Sequence, residues 1–367
     1  MSRINVTYRV KSDASDIEAR AQGIAIEQSV EMPLAAIDNE YVLSEILGRV
    51  DDISDNGDGT YKVQIALATE TTGFEVAQLI NMIFGNTSIH DAVTLEDAEF
   101  PKDLTDTFGG PNFGIDGMRE RCGANDQMGG RAMTCSALKP QGTLVEGLAD
   151  LAKRFALGGV DYIKDDHGLA DQSYSPFAER IPACAKAVRE ANDETGGNTH
   201  YIPSLTGNLD QLRDRIRIAK EEGLMTAMMP PMVVGLPSFH AIVKENPDCA
   251  FLAHPSMTGG GRIAPAFLFG KLFRMLGADA GIFVNHSGRF SFPKEICSDL
   301  AAKSLETWDG IKPSVPVPAG GMTLARVHEM LDFYGSDVML LIGGDLLLTR
   351  ERLTEATREF SDKVASY

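Results

Sequence analysis

The chain has 367 residues, 43% of them hydrophobic, with 52 acidic against 34 basic side chains and a formal charge of -18 at pH 7. That length exceeds one small core and predicts a small domain plus a barrel-sized one. The acidic balance excludes a nucleic-acid or anionic-membrane surface, so a phosphorylated ligand would need a local pocket of backbone amides and cations.

No run approaches the roughly 18 apolar residues of a membrane span, and the first residues carry no signal pattern, so a cytoplasmic protein is expected. Five cysteines, at 122, 135, 184, 249 and 297, form no Cys-x-x-Cys pair, which argues against a disulfide framework or a thiolate zinc site. Cys135 and Cys249 lie in apolar runs and are expected in the core.

In chain order, Ile4 to Val10, Val42 to Val50 and Tyr61 to Ala66 read as strands, Asp55 to Gly59 as a turn, and Phe74 to Phe84 as a helix. These elements predict an antiparallel α+β domain over residues 1–120, with the glycine-rich stretch 111–130 as the connection. The acidic turn lacks the ligand spacing of a calcium loop. Over residues 121–367, eight short apolar runs alternate with amphipathic stretches. They are Ala132 to Leu138, Val160 to Ile163, His200 to Leu205, Leu224 to Met229, Ala250 to Ala253, Ala280 to Val284, Val315 to Val317 and Val338 to Ile342. Eight such units predict a (β/α)8 barrel with its chemistry at the C-terminal strand ends. Those ends carry Lys139, Lys164 with Asp166, His254, His286, Gly320-Gly321 and Gly343-Gly344. The second run stops at Lys164-Asp165-Asp166-His167, a cluster that needs pairing or a bound cation if it is buried.

Gly-Gly-x-Asp-x-x-Lys-Asp-Asp at 158–166, together with Phe84-Gly85-Asn86, Thr107-Phe108-Gly109-Gly110-Pro111 and Leu138-Lys139-Pro140, resembles the RuBisCO large-subunit superfamily along nearly the whole chain. The departures place the resemblance with its RuBisCO-like, form IV members rather than with CO2-fixing carboxylases. This resemblance implies a ferredoxin-like N-terminal domain before the barrel, and a homodimer in which Glu27 and Asn86 serve the neighbouring subunit's active site. It also implies a metal site, Mg2+ or another divalent ion, at a carbamylated Lys164 and Asp166. His167 stands where the carboxylases have a glutamate ligand, either as a ligand itself or as a hydrogen-bonded partner of Asp166.

By the same resemblance Lys139 is the general acid/base, Lys164, His254 and His286 complete the catalytic set, and Gly320, Gly321, Gly343 and Gly344 bind one phosphate. Gln141 replaces a lysine used in CO2 addition, and Pro255 replaces an arginine that grips a second phosphate. Ala319 replaces a serine, Asp345 a glycine, and Lys294 sits one position away from the mobile-loop lysine.

One phosphate, with an apolar far end expected near Met228, Met229, Met257 and Phe290, fits a methylthio-sugar phosphate of sulfur salvage. The leading expectation is isomerisation of 5-methylthioribulose 1-phosphate by enolisation and proton transfer. The alternatives are enolisation of 2,3-diketo-5-methylthiopentyl 1-phosphate, and decarboxylation or cleavage of a branched keto-sugar-acid phosphate held by Arg289.

Overall fold

A computed structural model describes residues 2–125, 130–288 and 290–367, and these divide into two compact units. The first comprises Met1–Gly109 with Met257–Leu268, and the second Gly110–Ser256 with Phe269–Tyr367.

In the first unit β1 (Arg3–Lys11) runs antiparallel between β3 (Thr60–Ala68) and β4 (Val93–Glu99), with β2 (Arg49–Asp55) on the outer side of β3. Ile4, Val6, Tyr8 and Val10 alternate into the core, the period of two that a half-buried strand requires. Helices Ile17–Glu27 and Val76–Phe84 follow β1 and β3, so the order β-α-β-β-α-β with strands 2-3-1-4 is the ferredoxin-like arrangement. The first of these helices and β4 were not anticipated. The helix buries Ile17, Ala21, Ile24 and Ala25, a helical spacing diluted by small residues.

The strand expected at Val42 to Val50 is a correction: Val42–Ile46 forms a wide helical turn, and β2 begins only at Arg49. Arg3 explains the difference, because its guanidinium donates to the carbonyls of Glu45 at 2.7 Å and Leu47 at 3.0 Å. Those carbonyls are thereby satisfied without a neighbouring strand.

The second unit is the barrel. Its strands are β5 (Met133–Leu138), β6 (Tyr162–Asp165), β7 (His200–Ile202), β8 (Thr226–Met229), β9 (Ala250–Ala253), β10 (Ala280–Val284), β11 (Val315–Ala319) and β12 (Met339–Leu341). All ladders among them are parallel, and β12 pairs with β5 to close the circle. Ser204 bridges to Met228 between the two four-stranded arcs, and β11 lies against β12. Inward residues such as Cys135, Tyr162, Ile202, Met228, Leu252, Ile282 and Val317 form one core cluster, so the barrel is filled rather than hollow. All five cysteines are buried and free.

Residues 110–120, assigned from sequence to the first domain, belong with the barrel unit. Helix Gly114–Cys122 buries Ile115, Met118 and Cys122 in the barrel cluster, and the Ile115 N–H donates to Pro313. Conversely, 257–268 joins the first unit by pairing in parallel beside β4, where Leu95 donates to Arg262 and accepts from Ala264.

Buried polar groups pin the strands from within. Asp279, wholly inaccessible, accepts the N–H groups of Phe113, Gly114 and Phe251 at 2.6 to 2.8 Å. Asp161 takes a two-pronged hydrogen bond from Arg131 and two more from Thr134. Among the described residues no helix is long and apolar enough to cross a membrane.

Candidate active site

At the C-terminal ends of the barrel strands lies a cavity of about 530 Å³. Lys139, Lys164, His167 and His254 line it from one set of strands, and Gly320, Gly321, Gly343 and Gly344 from the strands that close the barrel. The alternation of β6 sorts its charges. Lys164 lines the cavity, whereas Asp165 turns into the wall and accepts from Tyr201 Oη at 2.6 Å and the Ser204 N–H at 3.1 Å, with Arg180 at 3.4 Å.

Asp166 organises the polar end of the site. Lys139 Nζ stands 2.8 Å from its Oδ2. His167 Nδ1 stands 3.1 Å from its Oδ1, which also accepts the Gly168 N–H at 3.0 Å. Burial alone would raise the carboxyl's pKa, but the hydrogen bonds from His167, Lys139 and Gly168 outweigh it and hold the group well below the usual range. The Gln141 amide lies against Gly168, so a side chain there would have to displace it: a Cβ would sit 1.4 Å from Gln141 Nε2.

Lys164 is 4% exposed and donates to the Asp165 carbonyl at 3.0 Å. Burial is the main cause that lowers its pKa, which favours the neutral amine. His254 stacks on His167 with ring centroids 4.4 Å apart. The Ser256 backbone N–H donates to His254 Nδ1 at 3.2 Å, so the neutral ring carries its hydrogen on Nε2. Burial first, then the neighbouring Lys164 and His167, pushes the His254 pKa down to about 2.

A divalent ion here needs more than ordinary side chains, because among the described residues no three His, Cys, Asp or Glu groups converge to hold one. The donor chemistry nevertheless fits once Lys164 reacts with CO2. The unprotonated amine is the form that adds CO2, and the carbamate would supply oxygen donors beside the Asp166 carboxylate and the His167 imidazole.

Other expected residues fall elsewhere. His286 is 2% exposed and packs edge-on against Phe333 at 4.7 Å; among the described residues it is not part of the cavity lining and its Nε2 has no hydrogen-bond partner. Met228 is fully buried in the barrel core and Met229 is fully buried as well, so neither forms an apolar end, and Met257 belongs to the first unit. Phe290 does line the cavity. In the first unit Asn86 Nδ2 donates to Glu27 at 2.8 Å and to Glu31 at 3.1 Å, which holds the expected pair together. Arg289 lies outside the described residues. Sequence reasoning missed Leu348 and Met322 as lining residues, apolar side chains that follow the two glycine pairs in the chain.

Comparison with known proteins bears on the family and the fold. Residues 117–288 match the family described as ribulose bisphosphate carboxylase large chain, catalytic domain. The 5-methylthioribulose-1-phosphate isomerase of Rhodospirillum rubrum is 55% identical over 363 residues, covering 99% of this chain and 96% of that protein. The 2,3-diketo-5-methylthiopentyl-1-phosphate enolase of Bacillus pumilus is 30% identical over 316 residues, covering 82% and 76%. The crystal structure of a Rubisco-like protein from Rhodopseudomonas palustris matches with a TM-score of 0.93 at 47% identity, covering 100% of this chain and 99% of that one. With similarity that runs its full length and a matching fold, the chain belongs to the RuBisCO-like proteins of the ribulose bisphosphate carboxylase large-chain family.

Proposed function

We propose that the chain is an isomerase of 5-methylthioribulose 1-phosphate in methionine salvage. The observation that carries this reading is one cavity lined both by Lys139, held on Asp166, and by two glycine pairs, with Pro255, Phe290 and Leu348 in its remaining lining. Such a cavity offers a proton carrier, one phosphate cradle and apolar surface for an uncharged tail. The identity to the Rhodospirillum rubrum isomerase supports it.

Carbamylated Lys164, Asp166 and His167 would hold a divalent ion, Mg2+ in the first instance, which when bound polarises the sugar carbonyl and acidifies the adjacent C–H. Lys139 removes that proton as the free amine and returns it to the neighbouring carbon as the ammonium. Asp166 keeps Lys139 at one position through both steps. His254 offers its Nε2–H to the oxygen that gains charge in the enediolate, and its depressed pKa keeps it from becoming a competing acid. The glycine backbones of 320–321 and 343–344 take the phosphate. Glu27 and Asn86 serve the site of a second copy, so the working assembly is a homodimer.

The enolase reaction on the diketone is the second reading, because the same residues enolise either substrate and the Bacillus pumilus enolase is 30% identical. Proton NMR in D2O with Mg2+ and bicarbonate decides between them. Conversion of 5-methylthioribulose 1-phosphate to an isomer establishes the first reading. Turnover of the diketone alone establishes the second, and inertness toward both removes the methylthio assignment.

A further inference from the structure

The glycine pairs are joined to one another by a side chain that sequence reasoning left without a role. Gly320 and Gly321 are both left-handed, with φ of 81° and 69°, a backbone that glycine alone adopts cheaply. A Cβ on Gly321 would fall 2.5 Å from Gly288 Cα, and one on Gly288 would fall 2.7 Å from the Gly320 carbonyl oxygen. The turn after β10 therefore lies backbone against backbone on the turn after β11. On the other side, Asp345 Oδ2 accepts the Leu324 N–H at 2.9 Å, spanning 21 residues from the turn after β12 to the turn after β11. Asp345 lines the cavity with both glycine pairs, so it places a carboxylate at a site built for an anion.

We propose that Asp345 is a positioning and discriminating residue: its hydrogen bond to Leu324 locks the two glycine turns into one phosphate cradle, while its charge sets how much negative charge that cradle accepts. This rests on the phosphate assignment made above. The two effects oppose one another. The tie orders backbone donors before the ligand arrives, which favours binding. The carboxylate repels the phosphate, which weakens it. Asn keeps an oxygen acceptor for Leu324 and removes the charge, whereas Ala removes both.

The test uses the full-length protein with inorganic phosphate as probe, measuring its dissociation constant by calorimetry for the wild type, Asp345→Asn and Asp345→Ala, with melting curves to confirm folding. Asp345→Asn is expected to bind phosphate about threefold more tightly, and Asp345→Ala about fivefold more weakly than wild type despite losing the same charge. With sugar phosphate, the Ala variant raises KM more than it lowers kcat, and Asn restores KM. Equal phosphate affinity in the Ala and Asn variants overturns the positioning role. No phosphate binding by a wild type that turns over substrate overturns the cradle itself. Tight phosphate binding in the expected order, by a protein inert toward the methylthio sugar, supports this proposal and removes only the isomerase reading.

Discussion

Replacing Asp166 with Asn isolates the group on which the polar half of the site converges. Its two oxygens meet Lys139 Nζ at 2.8 Å, His167 Nδ1 at 3.1 Å and the Gly168 N–H at 3.0 Å. An amide keeps one acceptor, so Gly168 remains satisfied, but its NH2 group then faces the Lys139 ammonium, donor against donor. Each charge-assisted hydrogen bond is worth about 1.5–3 kcal/mol; the Lys139 contact is lost whole, while His167, on the same oxygen as Gly168, keeps a neutral acceptor, so about 2–4 kcal/mol of positional energy goes. Folding stability loses far less, about 1–2 kcal/mol, because the Lys139 side chain is 43% exposed and turns to water. Turnover therefore falls by about 30-fold to 10³ while the melting temperature shifts by only a few degrees. Isomer formation followed by proton NMR at saturating substrate, beside a thermal melt, measures both. Turnover within tenfold of wild type would refute the assignment of Asp166 as the organiser. The pH dependence carries a sign of its own. Asp166 has a depressed folded pKa, so its stabilisation is fully present above about pH 4 and is lost only as the pH falls through the folded value, well below that. An acid limb in activity near neutrality must therefore come from another group.

Lys164→Ala should abolish metal-dependent turnover and remove the carbamate carbon signal seen with 13C-bicarbonate; a persisting signal would place the carbamate elsewhere. Pro255→Arg puts a cation in the cavity lining and should raise KM for the methylthio sugar about tenfold while improving binding of a bisphosphate; no change in either would show that Pro255 does not meet the tail. Asp279→Ala leaves three buried N–H groups without an acceptor and should destabilise the barrel by about 3–5 kcal/mol in urea unfolding, with kcat of the remaining folded protein unchanged. A loss below about 1 kcal/mol would mean that those amides find other partners.

The barrel was legible because each strand is a short apolar run, and all eight observed strands overlap the runs read from sequence. The strand ends were legible too, since Lys139, Lys164, His254 and both glycine pairs do meet in one cavity. What remained hidden depends on direction and on distant partners. Nothing local distinguishes His254, which faces the cavity, from His286, which is turned onto Phe333. Met228 and Met229 advertise an apolar surface in sequence, yet both are fully buried, Met228 within the barrel core. The turn at Val42–Ile46 depends on Arg3, some forty residues earlier, and no window around it contains that information.

Lys164, Asp165 and Asp166 are consecutive, yet they meet different surroundings: the first lines the cavity, the second anchors the wall through Tyr201 and Arg180, and the third holds Lys139. Deleting or inserting one residue before this stretch would send the anchoring carboxylate toward ligand and bury its neighbours against Tyr201, reversing every assignment at once. The segment therefore tolerates changes of kind, as His167 in place of glutamate illustrates, but not changes of length. Descendants of this protein that acquire new substrates should lengthen or shorten the turns beyond the strands, and keep the count between Gly158 and Asp166 fixed.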